Sequence, residues 1–428
     1  MAKNTPLELR NALIYSVYVR NHTPEGTFKA LEADLPRIRA LGTDILWMIP
    51  IHPIGVEGKK GSLGCPYANK DYRSVNPDYG TMDDFRHLVD AIHANGMKCM
   101  IDVVYNHTSP DSTLRYEHPE FFYHKPDGGF GNRFGDWADV IDLDYSVQEL
   151  WDYQIESLKF WAGIVDGFRC DVASLVPVEF WKKARAACEE VKPGLIWLAE
   201  SVHTRFQRKA RRAGMFMIYS YSEGYDAFDM EYDYDIREIL DAYWEGKRPL
   251  HEWIDGLNWQ EAIYPWNYIK MRCIENHDQP RAAYRIPDAQ ALENWHAFLF
   301  FQKGTTLIYA GEERCDANLS SLFDKDPVNW NGPDISDQLI RLAKLKKAYF
   351  PVDGCFSAAA DDEQHAVFAR FENQETLLCG LFSLKGKNIE MDVDVADGCY
   401  TDLISGAEVC IRDGKIKTAG KPLIFKVK

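Results

Sequence analysis

The sequence predicts an α/β fold: a (β/α)8 TIM barrel with a small inserted domain after strand 3 and a C-terminal antiparallel β-sandwich. Across the first three-quarters of the 428 residues, short apolar or β-branched runs alternate about eight times with amphipathic helical stretches. Beyond Pro351 this alternation gives way to short period-two runs separated by turns, which is the pattern of antiparallel strands. A chain of this length suits one large barrel with a smaller companion domain.

The bounds of the individual strands and helices are predicted from the spacing of apolar residues and from residues that typically end a helix. Met97 to Val104 is a continuous apolar run with one acid near its end, typical of a parallel strand buried on both faces, and Gly96 ends the helix before it. The predicted strands span residues 11–19, 44–49, 97–104, 167–169, 195–199, 225–232, 271–274 and 305–309. The predicted helices span residues 27–41, 82–95, 147–162, 177–192, 289–301 and 335–347. The first strand–helix turns lack a GxGxxG phosphate cradle, which disfavours an open dinucleotide-binding sheet.

Three domains are therefore expected. The barrel takes residues 1–105 and 145–350, and the C-terminal sandwich takes residues 351–428. The third domain interrupts the barrel: residues 106–144 are rich in Gly, Pro, His and aromatic residues and have no helical period. A long insertion at the C-terminal end of a barrel strand lies where such barrels carry their binding loops, so this segment is predicted to be a small inserted domain.

Composition narrows the class of partner. The net charge of −16 disfavours nucleic acids and anionic membranes, which bind clustered Lys and Arg, and it suits a neutral substrate. The first twenty residues lack a signal-peptide pattern, and no apolar run reaches membrane-spanning length. The ten Cys contain no CxxC pair, so neither a zinc site nor a disulfide framework is predicted. These features predict a cytoplasmic protein, and they give no indication of its oligomeric state.

Charged residues cluster where barrel strands are predicted to end, which is where barrel enzymes place their catalytic groups. Interior strand positions should be apolar, so this charge calls for an explanation. A single buried acid can serve packing through an ion pair, but several acids converging on one rim predict a catalytic site. The residues in question are Asp102, Asn106, His107, Arg169, Asp171, Glu200, His277 and Asp278.

Two carboxyl groups from neighbouring strands suit the hydrolysis of glycosides with retention, in which one attacks the anomeric carbon and the other protonates the leaving oxygen. Asp171 suits the nucleophile, because Arg169 two residues earlier points to the same side of its strand and favours the ionised carboxylate. Glu200 suits the general acid if a partly apolar environment raises its pKa. Asp278 would then face the developing positive charge, with His107 and His277 donating to sugar hydroxyls.

The same residues resemble the signatures of the α-amylase family of glycoside hydrolases (family 13). Asp102-Val-Val-Tyr-Asn-His107 looks like the first signature, Gly167-Phe-Arg-Cys-Asp171 the second, Glu200 the third and Asn276-His-Asp278 the fourth. The segment Cys65-Pro-Tyr67 is similar to one whose Tyr stacks on the sugar at the cleavage site. Each match is short, but four in the family's order over nearly the whole chain are specific.

The resemblance implies Asp171 as nucleophile, Glu200 as acid/base and Asp278 as transition-state stabiliser, with no cofactor required. It implies Tyr67, His107, Arg169 and His277 as substrate-binding residues and Asp102 as a partner of Arg169. Asn106 matches a calcium ligand of many relatives, and Asp136, Asp139 and Asp142 lie nearby in the sequence. A Ca²⁺ ion at Asn106 is therefore an expectation, as is a contact of Asp324 with the far hydroxyls of the cleavage-site glucose.

The expected function is cleavage of α-1,4-glucosidic bonds in malto-oligosaccharides, and three alternatives remain open at this point. A transglycosylase or isomerase would use the same covalent intermediate, and an α-1,6-acting glucosidase would use the same three acids. A non-catalytic sugar-binding relative is the third, although such proteins tend to lose catalytic acids. Trp137, Trp266 and Trp330 fall in predicted loops and are candidates for sugar platforms or for packing.

Overall fold

Parallel strands close into a barrel in the computed structural model, which describes residues 4–133, 137–215 and 217–428. The described strands are β1 (Leu13–Val17), β2 (Ile45–Met48), β3 (Lys98–Val103), β4 (His107–Thr108), β5 (Ile141–Asp142), β6 (Gly167–Cys170), β7 (Ile196–Ala199), β8 (Met230–Tyr232), β9 (Lys270–Arg272), β10 (Thr305–Tyr309), β11 (Cys355–Asp361), β12 (Ala366–Glu372), β13 (Leu377–Ser383), β14 (Asn388–Asp392), β15 (Gly398–Thr401), β16 (Glu408–Ile411), β17 (Lys415–Ala419) and β18 (Leu423–Lys426). The barrel order β1-β10-β9-β8-β7-β6-β3-β2 confirms the predicted fold class.

Most of the described helices surround this barrel, and the fifth along the chain lies in the inserted segment between β4 and β5. They are α1 (Val19–His22), α2 (Phe28–Glu32), α3 (Leu35–Ala40), α4 (Met82–Ala94), α5 (Thr113–Glu117), α6 (Gln148–Ala162), α7 (Val178–Val191), α8 (Thr204–Arg212), α9 (Tyr221–Gly224), α10 (Tyr234–Trp244), α11 (Leu250–Ile263), α12 (Ala282–Arg285), α13 (Ala289–Phe301) and α14 (Ser336–Tyr349). The start of α4 is fixed by a capping box, in which the side chains and backbone N–H groups of Thr81 and Asp84 bond reciprocally. None of the helices in the described ranges is long and apolar enough to cross a bilayer.

Most predicted elements lie within two residues of the observed ones, and two differ in an informative way. The single helix predicted for residues 27–41 is two helices, because the nitrogen of Pro36 cannot donate a helical hydrogen bond and a new helix starts at Leu35. The acid-rich run from Asp226 to Asp235 predicts, by its composition, a strand end followed by a solvated helix start, and the second part of this prediction is wrong. Asp233 and the first turn of α10 are buried against the barrel.

Two apolar layers hold the barrel together. The interior layer includes Ile14, Trp47, Met100 and Leu198, all fully or almost fully buried. The outer layer lies between the strands and the surrounding helices, where Trp161, Trp181 and other large side chains are buried. Burial on both faces explains why these strands read as continuous apolar runs in the sequence. The polar side chains at the strands' C-terminal ends are therefore held by a rigid framework.

The C-terminal region is antiparallel. Strands β11, β12, β13 and β18 form a four-stranded sheet in the order β11-β12-β13-β18, and β14–β17 and β15–β16 form two ribbons. Cys399 and Cys410 face each other across β15 and β16 and form a disulfide. The sequence analysis missed this pair, because two half-cystines eleven residues apart match no spacing motif. A cytoplasmic location stays a prediction.

Candidate active site

The polar side chains singled out in the sequence meet at the C-terminal end of the barrel. Asp102 and Arg169 lie within β3 and β6, which pair with each other at these two residues. Asp171 and Glu200 directly follow β6 and β7, and Asp278 lies in the turn after β9. Because all these strands are parallel, their C-terminal ends deliver the side chains to one end of the barrel.

Arg169 joins three of these carboxyl groups and is itself fully buried. Its Nη1 donates to Asp102 Oδ1 and to Asp171 Oδ1, each at 2.9 Å. Its Nη2 lies 3.0 Å from Glu200 Oε2. A guanidinium presents its donors in a rigid planar fork, so it fixes the positions of the Asp171 and Glu200 side chains relative to each other. These two carboxyl groups therefore face one space.

Burial raises the pKa values of Glu200 and Asp171. It raises the pKa of Glu200 to about 7, against the opposing effect of Arg169. Burial also raises the pKa of Asp171, whereas Arg169 and a hydrogen bond with Glu200 lower it. Arg169 favours the ionised Asp171 carboxylate, as expected, but desolvation outweighs it and the net shift of the Asp171 pKa is upward. Glu200 can hold a proton near neutral pH, as a general acid must.

Asp278 has the opposite shift. Its side chain is 42% exposed and lies 3.0 Å from His277 Nε2. Burial would raise the pKa of Asp278, but His277 and Arg169 outweigh it and hold the pKa below its ordinary value. Asp278 is thus the carboxyl group of the three that most readily stays ionised, which suits a group facing positive charge.

Tyr67 contacts both Asp102 in β3 and His277 beside Asp278. Its hydroxyl donates to Asp102 Oδ2 at 3.0 Å and lies 2.7 Å from His277 Nε2. The Tyr67 and His277 rings stack with an interplanar angle of 16° and centroids 5.6 Å apart. Tyr67, one of the residues carried over from the family resemblance, is therefore held at the cavity by two hydrogen bonds of its hydroxyl and by stacking on His277.

His107 approaches from the inserted domain. It lies on β4, which pairs with β5, and its Nε2 is 3.9 Å from Asp171 Oδ2. Burial lowers the pKa of His107, so the neutral imidazole is favoured and can donate or accept a hydrogen bond. His107 thereby completes the group of predicted residues around Asp171.

A single cavity of about 320 Å3 brings these groups into contact with solvent. Its wall contains five of the predicted site residues: Tyr67, His107, Asp171, Glu200 and Asp278. It also contains residues that the sequence analysis missed: Lys60, Cys65, Val140, Val172, Leu322 and Phe323. A signal for the first of these was present, since Lys60 lies in a glycine-rich stretch just before Tyr67. The aromatic and aliphatic wall with a few polar groups is typical of small-ligand sites.

Val172, next to Asp171, has an unusual backbone. Its φ of 36° and ψ of 43° are left-handed, a conformation that a β-branched residue rarely adopts. This turn directs the Val172 N–H to Glu200 Oε2 at 2.8 Å. The next amide, of Ala173, donates to the Glu200 carbonyl oxygen at 3.0 Å. Strain of this kind persists where the surroundings over-determine it, and here it aims two consecutive amides at Glu200.

The residues expected near a calcium ion have other partners. Asp139 pairs with Lys60 at 2.8 Å, and Asp142 Oδ2 accepts from the Arg133 N–H at 2.6 Å. Asp142 Oδ1 is buried without a hydrogen bond, but a hard cation takes about six to eight oxygens. Asp136 lies outside the described residues. The residues described around Asn106 therefore fit a Ca²⁺ ion poorly, and no step below runs through one.

The contacts of the three candidate tryptophans and of Asp324 show which of them lie at the cavity. Trp137 lines the cavity and stacks on Phe206 with centroids 6.0 Å apart. Trp330 packs elsewhere, with its Nε1 donating to the His22 carbonyl at 2.9 Å, and Trp266 is 70% exposed and away from the cavity. Asp324 accepts from the N–H and hydroxyl of Ser62, at 2.7 and 2.6 Å. It does not line the cavity, so its expected contact with the glucose is not supported.

Known proteins match this chain along most of its length. The sequence model described as "Alpha amylase, catalytic domain" matches residues 13–124 and 134–347, and "Bacterial Alpha amylase C-terminal domain" matches residues 357–425. The structure of an α-amylase from Lactobacillus plantarum has 42% identity and a TM-score of 0.94, covering 99% of this chain and 100% of that chain. A noncanonic maltogenic α-amylase from Thermotoga neapolitana has 31% identity and a TM-score of 0.86, covering 98% and 99%.

Other relatives are named for a different activity, the transfer of maltosyl groups. An α-1,4-glucan:maltose-1-phosphate maltosyltransferase of Streptomyces coelicolor is 31% identical over 264 residues, which are 57% of this chain and 36% of the relative. The chain thus spans about a third of the length of curated relatives of this kind. The barrel, the arrangement of the acids and the two sequence matches agree, and the chain belongs to the α-amylase family.

Proposed function

We propose that this enzyme is a retaining glycoside hydrolase that cleaves α-1,4-glucosidic bonds in malto-oligosaccharides. The observation that carries the proposal is the sharing of one buried guanidinium by Asp171 and Glu200 at a cavity that Asp278 also lines. Retaining hydrolysis needs two carboxyl groups that can touch one glycosidic linkage, one ionised and one protonated. The α-amylases similar to this chain support the choice of α-glucosidic bonds.

In the first step the Asp171 carboxylate attacks the anomeric carbon as the bond from that carbon to the leaving oxygen breaks. Glu200 gives its proton to this oxygen, and the shortened sugar departs with a new hydroxyl group. The raised pKa of Glu200, about 7, keeps part of the enzyme in the protonated form that this step needs. Asp278, ionised beside His277, would stabilise the positive charge that develops on the sugar ring.

In the second step water attacks the anomeric carbon of the glycosyl–Asp171 ester. Glu200, now ionised, takes a proton from that water, and the Asp171 carboxylate leaves. Two inversions give retention, so the product is released as the α-anomer. Tyr67 and His107 would bind the sugar on either side of Asp171.

The test is the stereochemistry and identity of the products. Maltohexaose incubated with the enzyme should give shorter maltodextrins whose new reducing ends appear first as α-anomers in proton NMR spectra. The first appearance of β-anomers would contradict the assignment of Asp171, because it would require direct attack of water. Panose and pullulan, compared with maltotriose, would report tolerance of α-1,6 bonds.

The maltosyltransferases among the relatives favour a second candidate, transfer of the glycosyl group to a sugar acceptor. The same ester at Asp171 would then be attacked by a sugar hydroxyl instead of water. Incubation with maltose 1-phosphate and maltohexaose would give lengthened dextrins and free phosphate if transfer dominates. Hydrolysis without lengthening favours the first candidate.

A further inference from the structure

The loop formed by residues 57–64, between β2 and α4, crosses one side of the cavity and is attached to the inserted domain. Lys60 Nζ pairs with the buried carboxylate of Asp139 at 2.8 Å. Gly58 has a φ of 71°, and a Cβ added there would lie 3.2 Å from the Ala138 carbonyl oxygen. The loop backbone therefore packs directly on the inserted domain, and a larger residue at position 58 would push it away.

The other end of this loop is attached to the segment that follows β10. The Leu63 N–H donates to the Phe323 carbonyl oxygen at 3.0 Å, and Ser62 donates twice to Asp324 Oδ1. Gly61 has a φ of 63°, and a Cβ added there would lie 2.6 Å from Phe323 Cβ. The inserted domain, the 57–64 loop and the segment after β10 thus form one continuous wall.

This wall encloses one side of the space that contains the catalytic acids. Lys60, Asp139, Leu322 and Phe323 all line the same cavity as Asp171. Its volume of about 320 Å3 is at the small end of the range for ligand sites, about 300–1,000 Å3. Because hydrogen bonds and an ion pair join the parts of this wall, it opposes the passage of a long glucan chain on this side of the cavity.

The position of Glu200 determines which end of the sugar meets the wall. Only β1 separates β2 from β10, the two strands that carry the wall's loops. Glu200 follows β7, which is separated from β2 by β3 and β6 and from β10 by β8 and β9, so it lies on the far side of the barrel. The oxygen that Glu200 protonates belongs to the leaving fragment, which must depart on that far side. The fragment bonded to Asp171 extends toward the wall, and it carries the non-reducing end.

We infer that the enzyme acts on chain ends and takes only a short piece from the non-reducing end of a malto-oligosaccharide. This inference rests on the proposed hydrolytic function and specifies its substrate class. Lys60 is the residue of the wall that determines it most directly, because its ion pair with Asp139 joins the loop to the inserted domain across the cavity.

The experiment compares two maltoheptaoses that carry a fluorophore at the reducing end, one with a free non-reducing end and one whose non-reducing glucose bears a 4,6-O-ethylidene group. The free chain should give a single labelled product at early times, and the capped chain should react at least about 100-fold more slowly. A ladder of labelled products, or cleavage of the capped chain within about threefold of the free one, overturns the inference. An enzyme inactive on both chains but active in transfer from maltose 1-phosphate would overturn the hydrolytic proposal instead, and with it this one.

Variants of the wall provide a second measurement, the ratio of the capped-chain rate to the free-chain rate, which does not depend on the amount of active enzyme. Lys60→Ala should raise the capped-to-free rate ratio by about 10-fold or more, because it opens the wall at Asp139. Asp324→Ala, which releases Ser62 at the other end of the loop, should raise the same ratio. Lys125→Ala, in the inserted domain but away from this cavity, is the matched control and should leave the ratio unchanged. A ratio unchanged in both wall variants overturns the role of the wall.

Discussion

Replacing Arg169 by Lys tests whether the guanidinium organises the two catalytic carboxyl groups. Arg169 reaches Asp171 through Nη1 at 2.9 Å and Glu200 through Nη2 at 3.0 Å. A Lys ammonium is a point charge and cannot keep the same contacts to Asp102, Asp171 and Glu200 at once. Losing one hydrogen bond to a charged group costs about 1.5–3 kcal/mol. We therefore expect kcat/KM to fall by about 10- to 150-fold.

The same substitution should change the pH dependence. Glu200 must be protonated to donate, so activity is lost as pH rises through its pKa, which is about 7 in the unaltered enzyme. Arg169 lowers this pKa, so weakening the contact should raise it and move the alkaline limb of kcat/KM to higher pH. The assay is the initial rate of reducing-sugar release from maltohexaose between about pH 4 and about pH 10.

Arg185→Lys is the matched control for this variant. Arg185 also pairs with a buried carboxylate, Asp229 at 2.7 Å, but outside the catalytic cavity, so its replacement should leave the pH profile unchanged. Urea unfolding of both variants would separate a loss of fold from a loss of catalysis. An Arg169→Lys enzyme with kcat/KM within about threefold of the parent and an unmoved alkaline limb would refute the reasoning.

Three further outcomes are expected. The parent enzyme should have a bell-shaped pH profile, with an acid limb set by Asp171, whose pKa burial raises, and an alkaline limb near the Glu200 pKa of about 7; a flat profile would contradict both roles. Asp171→Asn should abolish turnover while calorimetry detects unchanged maltotriose binding, and turnover within about tenfold of the parent would exclude it as nucleophile. Tyr67→Phe should lower kcat/KM by about 2- to 10-fold, since it removes the hydrogen bonds of the hydroxyl with Asp102 and His277; an unchanged value would make the hydroxyl dispensable.

The barrel and the meeting of the acids at one end of it could be predicted because both have local signals. Strands buried on both faces appear as apolar runs, and Asp171 and Glu200 directly follow such runs. Contacts between distant loops have no such signal. The pairing of Lys60 with Asp139 depends on how two irregular segments cross, which neither segment's composition specifies.

Two other features run against local preference. Val172 is β-branched, and its side chain favours the extended backbone, so a left-handed turn could not be expected there. The buried acids around α10 read as a solvated segment because charged residues are usually exposed, but Lys270 and Arg272 on β9 lie close enough to pair with them. In both cases tertiary contacts outweigh the preference of the residue itself.

The left-handed turn at Val172 makes this position suitable for substitution in protein engineering. The group that contacts Glu200 is a main-chain N–H, which nearly every amino acid would supply, and Val172 is also one of the residues that line the cavity. Position 172 can therefore be varied to reshape the cavity without deleting the hydrogen-bond donor to Glu200. Glycine would adopt the turn most easily, and proline, which has no N–H, is the replacement to avoid.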